Sequence, residues 1–363
     1  MIKILHLYIG SLSAGLLFFQ KDLNNELAKN NELDIYIAYG IDDRTPNNYK
    51  TFFNPRIHLI CVPEFTDVVG FSLAKIMHHV LIVKKIVNDI CPDIIHMHTY
   101  KSGLIGNIAC KAHPAKFYTP HGFIGVATRM PSWRRKLLVN IEKFFHKYGN
   151  TTIIASSKGE CDLCMQLTPS PLRVDNGIEI DELNQYQSKS LFTEDGNIKI
   201  YNIARAVVQK NPSEFNVIAK SLPQEKFVWI GGGDLENEIN SENIEFHKFL
   251  PKEQALNIIK DCSILLMTSL WEGQSVAQLE AMAMKKLNIV SNVPGLRDVI
   301  KSGYNGIIYN TPEDLVKIIK DVYQRPQYYQ QLVDNAYNDC CALYSSKVMA
   351  AKYLNIYILK ITA

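Results

Sequence analysis

No stretch of this 363-residue chain is long and apolar enough to cross a bilayer as a helix. Neither sign of charge dominates: 39 Lys and Arg face 36 Asp and Glu, a net +3 that argues against a broad nucleic-acid-binding surface and leaves room only for local basic patches. A disulfide framework is missing. Cys61, Cys91, Cys110, Cys161, Cys164, Cys262, Cys340 and Cys341 are scattered through apparent strands and helices, which is reduced, cytosolic usage. Cys161-Asp162-Leu163-Cys164 has no second pair at finger spacing, so a zinc finger is not expected. Short-period repeats and low-complexity segments are absent as well.

What is present is an apolar content of 47%, enough for one large or two medium cores, and the length favours two domains. Lys3 and the apolar stretch to Phe19 resemble a secretion leader. Against that, Ile2 to Tyr8 suits a first strand, Gly10 to Gly15 a turn, and Leu16, Phe19, Leu23 and Leu27 continue a helical stripe past any cleavage point. A cytoplasmic protein is expected.

Strand-like runs at Ile2 to Tyr8, Asp34 to Ala38, Ile57 to Val62, Ile94 to His98, Ala115 to Tyr118, Thr152 to Ala155 and Leu172 to Asp175 alternate with helical ones, the rhythm of a parallel sheet with crossover helices. Between Asn184 and Asn197 the chain turns polar and loses its period, marking a linker. Alternation resumes at Ile198 to Ile203, Lys226 to Ile230, Ser263 to Met267, Leu287 to Ser291 and Gly306 to Tyr309. The expected fold is therefore α/β with two Rossmann-like domains, residues 1–184 and 185–343, followed by a C-terminal helix over 344–363.

The run Trp271-Glu272-Gly273-Gln274-Ser275-Val276-Ala277-Gln278-Leu279-Glu280 follows an apolar strand and leads into good helix formers. Ser275 followed three residues later by Gln278 fits a capping box, so a helix starts just after Ser275 with its free N–H groups facing the loop, where an anion sits favourably. Glu272 then hangs ahead of the helix, and Glu280 lies more than one turn inside it. Two such carboxylates accept hydrogen bonds from vicinal hydroxyls without a metal, although a pair of solvated surface charges has the same spacing.

Arg205 and Lys210 lie in the loop after the second domain's first strand, the edge at which open parallel sheets bind ligands, and can converge on a diphosphate. Gly231 and Gly233, in Ile230-Gly231-Gly232-Gly233-Asp234, allow either close ligand approach or a turn of unusual φ. His121 in Tyr118-Thr119-Pro120-His121-Gly122 stands at a strand's carboxyl end and suits either ligand contact or a helix cap. His96 and His98 share one sheet face, where packed histidines are a plainer expectation than a metal pair. Arg129, Arg134, Arg135, Lys136, Lys143 and Lys147, against one acid, Glu142, are interleaved with Met130, Trp133, Leu137, Leu138, Ile141, Phe144 and Phe145. Residues 129–147 thus read as a helix resting on anionic lipid or as an ordinary solvated helix.

The segment from Glu272 to Glu280 resembles the Glu, seven residues, Glu motif of the retaining family 4 glycosyltransferases, and the resemblance extends along nearly the whole chain. It implies the GT-B fold, two Rossmann-like domains with parallel sheets facing across a cleft, and a last helix crossing back onto the first domain. Arg205 and Lys210 match the family's Arg/Lys pair, Thr119-Pro120-His121-Gly122 its donor-sugar histidine element, and Gly10 to Gly15 its glycine loop under the donor diphosphate, with Ala14 and Gly15 where paired glycines are usual. Gln274 and Ser275 replace the common Phe and Gly or Pro, Lys248 stands at a frequent glycine, and Met284 to Asn288 lacks the usual Gly-x-Pro.

The resemblance implies transfer of a hexose or N-acetylhexosamine, with retention, from a nucleoside-diphosphate sugar (UDP first) to a glycan, in particular a lipid-linked polysaccharide intermediate at the inner face of the plasma membrane. Glu272 would orient sugar hydroxyls, Glu280 the ribose, and His121 the reacting ring. Arg205, Lys210 and the amides near Ser275 would stabilise the leaving phosphate. Gly15, Gly231, Gly233, Gly273, Gln274, Ser275 and Val276 complete the donor-binding set. No Asp-x-Asp pair occurs, so no divalent metal and no other cofactor is expected, nor a nucleic-acid partner. Two rivals share this fold. A sugar-nucleotide epimerase would turn over without acceptor, and a non-catalytic subunit would bind donor without transferring it.

Overall fold

A computed structural model of the protein describes residues 1–66, 72–123, 125, 131–188, 190–192 and 196–362. It forms two compact units, Met1–Gly177 with Ser346–Ala363, and Ile178–Ser345. The chain changes unit between Gly177 and Ile178, ahead of the polar stretch 184–197, because Ile178, Leu183 and Tyr186 are already packed in the second unit's core.

The first unit is a seven-stranded sheet. Its strands are β1 (Ile2–Ser11), β2 (Leu33–Gly40), β3 (His58–Cys61), β4 (Ile94–His98), β5 (Lys116–Thr119), β6 (Thr152–Ala155) and β7 (Leu172–Arg173), in the order β3-β2-β1-β4-β5-β6-β7. Every pairing is parallel. Helices α1 (Ala14–Leu27), α2 (Leu73–Ile90), α3 (Thr99–Ala109), α4 (Ser132–Gly149) and α5 (Lys158–Cys164) make five of the six connections, and β2 reaches β3 through a 3-10 turn at Tyr49–Phe52. β1 reads as a continuous apolar run because both of its faces are covered. Ile4 and Tyr8 point into one core with Ile35 and Ile37, whereas Leu5, Leu7 and Ile9 point into the other with Ile95 and Met97.

In the second unit β8 (Lys199–Ile203), β9 (Lys226–Ile230), β10 (Ile244–His247), β11 (Ile264–Met267), β12 (Leu287–Ser291) and β13 (Ile307–Tyr309) form a six-stranded sheet in the order β10-β9-β8-β11-β12-β13. Its pairings are again all parallel. Helices α6 (Pro212–Ser221), α7 (Lys252–Lys260), α8 (Val276–Ala283), α9 (Pro312–Gln324) and α10 (Pro326–Leu343) flank it. β10 was not foreseen: it is a half-exposed edge strand, Ile-Glu-Phe-His, whose charged residue breaks the apolar run. The last helix, α11 (Ser346–Thr362), returns to the first unit and packs Met349, Ala350, Tyr353 and Tyr357 into the same core as Ile4 and Ile35, with Tyr353 against Phe19 of α1 and Tyr357 against His96 of β4 and Phe117 of β5. Among the described residues no helix is long and apolar enough to cross a membrane.

Each strand order reverses direction once, between β1 and β4 and again between β8 and β11. At such a switch point the loops leaving the two strands part in opposite directions and open a crevice at the carboxyl edge, the usual ligand position in open α/β sheets.

Candidate active site

The switch point of the second unit brings together the loops that follow its first and its fourth strand. The first leaves β8 and carries Arg205 and, in a single 3-10 turn, Val208–Lys210; the second leaves β11 and carries Glu272 to Ser275. Backbone and side chain stitch them. Leu270 N–H donates to Gln209 O (2.8 Å), and the Thr268 hydroxyl lies 2.8 Å from Lys210 O and 3.1 Å from Asn211 O. The Glu272 carboxylate receives the Lys210 ammonium, the Ser269 hydroxyl at 2.7 Å and, at 3.4 Å, the Gln209 amide, which also donates to Trp271 O at 3.0 Å. With side-chain exposures of 17% for Lys210 and 7% for Glu272, this pair is largely shielded from water, so removing either partner strands the other's charge.

Arg205 is exposed, and its guanidinium has no partner among the described residues. The structure thus joins Lys210 to Glu272 and leaves Arg205 open at the mouth of the same loop. Gly231 and Gly233 are explained by this loop. A Cβ on Gly231 (φ +130°) would lie 2.3 Å from Ala204 O, and one on Gly233 would lie 2.4 Å from Ala206 O. Ala204 N–H and Ala206 N–H donate to Ile230 O and Gly232 O at 2.9 and 3.1 Å. The two glycines let one backbone lie on the other and so fix Arg205; close approach of a ligand is not needed to account for them.

Helix α8 begins where the sequence places it, with Ser275 in extended conformation as its N-cap. The expected capping box does not form. Gln278 is buried and its amide donates to Leu296 O at 3.1 Å, while the Ser275 side chain caps no amide. Tertiary packing has drawn Gln278 inward, which leaves the opening N–H groups of α8 without a side-chain cap. Gly273 precedes them, and a Cβ added to it would meet nothing within 4 Å, so the space beside it is open. Gln274, Ser275 and Val276 follow, the first two buried and the last half-buried. Glu280, one turn further, forms an ion pair with Lys252 of α7 at 2.9 Å. Sequence reasoning missed Gly295: it packs beneath this loop at φ +86°, and a Cβ there would lie 1.8 Å from Gly273 O. Its signal was the Pro294-Gly295 turn dipeptide just after β12.

In the first unit, Gly15 lies exposed in the opening turn of α1, directly after β1. His121 follows β5 in the left-handed region (φ 51°), and the next amide, Gly122 N–H, is anchored on Glu160 at 2.7 Å. His96 and His98 are fully buried and joined by His6 of β1. His96 Nδ1 is 2.5 Å from the Tyr357 hydroxyl and its Nε2 2.9 Å from that of Thr119. His98 Nε2 is 2.9 Å from His6 Nδ1, and His98 Nδ1 is 3.0 Å from His121 Nε2. Ring nitrogens of His6, His96 and His98 all lie within 4.8 Å of one another. Both nitrogens of His96 and of His98 are already hydrogen-bonded, so the cluster is a polar network inside the core. Burial holds His6 and His121 down to about 3 and His96 and His98 well below the ordinary imidazole range, so all four are neutral at physiological pH.

Residues 184–339 match the family model of glycosyl transferases group 1, and residues 24–157 match that of glycosyl transferase 4-like proteins. The chain is a glycosyltransferase. Among this glycosyltransferase's relatives is the UDP-Gal:alpha-D-GlcNAc-diphosphoundecaprenol alpha-1,3-galactosyltransferase of Escherichia coli, 26% identical over 85% of this chain and 84% of that protein. Another is the N,N'-diacetylbacillosaminyl-diphospho-undecaprenol alpha-1,3-N-acetylgalactosaminyltransferase of Campylobacter jejuni, 29% identical over 47% of this chain and 48% of that one. Sucrose-phosphate synthase from Thermosynechococcus elongatus has the same fold, with a TM-score of 0.82 at 15% identity over 100% of both chains. So does Anabaena HepE in complex with UDP-glucose, at 0.76 and 16% identity over 98% of this chain and 99% of that one. The fold is GT-B, with a Rossmann-like parallel sheet in each unit.

The glycosyltransferase's basic helix is α4; Arg129 and Met130 lie outside the described residues. Glu142 is buried and faces the core, where the Tyr118 hydroxyl donates to it at 2.5 Å. The outer face is therefore cationic, with Arg134, Lys136, Lys143 and Lys147 exposed. Along it runs a stripe of Trp133 (67% exposed), Leu137 (50%), Phe144 (61%) and Tyr148 (48%), at helical spacing.

Proposed function

We propose that this glycosyltransferase moves a hexose or N-acetylhexosamine, with retention and without a divalent metal, from a UDP-sugar to a glycan carried on a polyprenyl diphosphate. The observation that carries the reading is the Lys210–Glu272 pair at the β8/β11 switch point, beside the uncapped start of α8 and the open guanidinium of Arg205. Cleaving the anomeric C–O bond builds negative charge on the leaving diphosphate. Arg205, Lys210 and the first amides of α8 are the groups that stabilise it, in place of a metal. Glu272, held by Lys210 and Ser269, keeps an oriented carboxylate for sugar hydroxyls, and Glu280 serves the ribose in the same way. His121 positions the reacting ring.

The UDP donor and the lipid-linked acceptor are supported by the name of the Escherichia coli relative's activity, which includes both. The outer face of α4 supports a cytoplasmic enzyme resting on the inner leaflet, since an apolar stripe between lysines and arginines suits an anionic lipid surface. The test is transfer from labelled UDP-galactose and UDP-N-acetylgalactosamine to a sugar-diphosphoprenol acceptor in EDTA, with the anomer of the product read by NMR. An α-linked product is expected, with turnover strongly reduced in Glu272→Ala and in Lys210→Ala although both remain folded. Near wild-type transfer in both variants would overturn the site assignment; an inverted anomer or a requirement for metal would overturn the mechanism.

A further inference from the structure

Buried neutral histidines each own one proton and one lone pair, so a chain of them has a direction. His6 Nδ1 meets His98 Nε2 at 2.9 Å, and His98 Nδ1 meets His121 Nε2 at 3.0 Å. A proton on His6 Nδ1 forces one on His98 Nδ1 and leaves His121 Nε2 as an acceptor with its own proton on Nδ1. The reverse choice puts all three protons on Nε2. Mixed arrangements break a bond or add a charge. The burial that keeps these rings neutral disfavours the charged alternative.

The inner end of the chain selects between the two directions. His6 Nε2 is buried and has no hydrogen-bond partner. With protons on Nε2, an N–H would point into the core with no acceptor, a rare situation in folded proteins; with protons on Nδ1, only a lone pair is left there. His121 is free of this constraint at its other end, because the residue is only half-buried and its Nδ1 is not among the buried unpartnered atoms; Phe19 clamps the ring edge-on, with ring centres 4.5 Å apart.

We infer that the buried chain His6–His98–His121 holds His121 in the Nδ1–H tautomer, so that this residue offers its ligand a fixed hydrogen-bond donor and no base. His6 and His98 are then positioning residues. The role toward the ligand rests on the proposed function, in which His121 touches the donor sugar. The tautomer does not. A fixed donor suits an oxygen that gains negative charge, and a side chain without a free lone pair in the site cannot take a proton from the acceptor.

The test is a two-bond 1H–15N correlation spectrum of the full chain with 15N-labelled histidine, which distinguishes the two neutral tautomers. His121→Asn and His98→Asn supply the assignments. Three Nδ1–H patterns for His6, His98 and His121 are expected at neutral pH; Nε2–H patterns, or a protonated ring among the three, would overturn the inference. His98→Asn retains an N–H toward His121 Nε2 and is expected to keep the His121 pattern. His98→Leu removes it, and the His121 signals are expected to average between tautomers while kcat falls roughly tenfold. An unchanged His121 pattern in His98→Leu would show that the chain does not hold the ring. Should the leucine variant fail to fold, the wild-type spectrum still decides. A chain with three Nδ1–H patterns and no sugar transfer would sink the functional reading and leave this one standing.

Discussion

Replacing Gly295 by Ala tests the site through a residue that is itself assigned no part in binding or reaction. The added Cβ would lie 1.8 Å from Gly273 O and 2.6 Å from Glu272 O, and ordinary contact begins near 3.4 Å, so the two backbones must part by roughly 1.5 Å. Backbone atoms cannot swing aside as a long side chain can. The residue also keeps φ at +86°, a strain of about 1 kcal/mol for a non-glycine residue. Because Glu272 is tied to Lys210 and Ser269, the displacement is passed to the carboxylate and to the start of α8. A misplacement of about 1 Å costs on the order of 100-fold in rate, so kcat/KM for sugar transfer is expected to drop by about that factor. The melting temperature of the unit that carries Gly295, Ile178–Ser345, should fall by only a few degrees, roughly 3 °C per kcal/mol for a unit of this size. The assay is initial-rate transfer from labelled donor alongside a thermal melt of the same preparation. Gly273→Ala is the control: its Cβ meets nothing within 4 Å, so the fold should be unaffected while the donor KM rises if sugar or diphosphate occupies that space. Wild-type kinetics in Gly295→Ala would refute the claim that this loop's position matters.

Other consequences can be measured separately. Burial is the main cause that pushes the Glu142 carboxyl up from 4.5 to about 7, with Glu160 adding to it and the Tyr118 hydrogen bond opposing it. The acid is thus neutral in the fold where it would be charged in the unfolded chain, and stability falls as pH rises from 4.5 to about 7. Glu142→Gln removes that penalty, so its gain over wild type should be on the order of 3 kcal/mol near pH 8 and should vanish toward about pH 4. A pH-independent difference in chemical denaturation would contradict it. The double change Trp133→Glu and Phe144→Glu on the outer face of α4 should abolish co-sedimentation with phosphatidylglycerol vesicles and shift the melting temperature by no more than about 1 °C. Unchanged vesicle binding would remove α4 from the membrane proposal. Gly231→Ala should disorder the loop carrying Arg205, because its Cβ would lie 2.3 Å from Ala204 O; intact donor binding by calorimetry would argue against that coupling.

Much of the architecture is legible in local pattern. β4, β6, β9 and β12 fall at the expected residues because each is a short apolar run bounded by polar or turn residues, and α8 starts after Ser275 because good helix formers follow a small polar residue there. β10 escapes that logic, since an edge strand needs an apolar partner on one side only. The segment from Ile178 to Tyr186 escapes it as well, since which core claims a half-apolar stretch depends on the surface it meets.

The sequence by itself determined the alternation of strands and helices, the Glu272 to Glu280 segment and the cationic loop, because these are properties of neighbours along the chain. Only the tertiary structure decided that Lys210 closes on Glu272, that Gln278 turns inward and leaves α8 uncapped, that Gly295 carries the Glu272 loop, and that His6 joins His98 and His121. Each of those pairs residues far apart along the chain or makes a side chain choose between solvent and core. That choice is settled by which surfaces meet when the sheets close, and no periodicity records it.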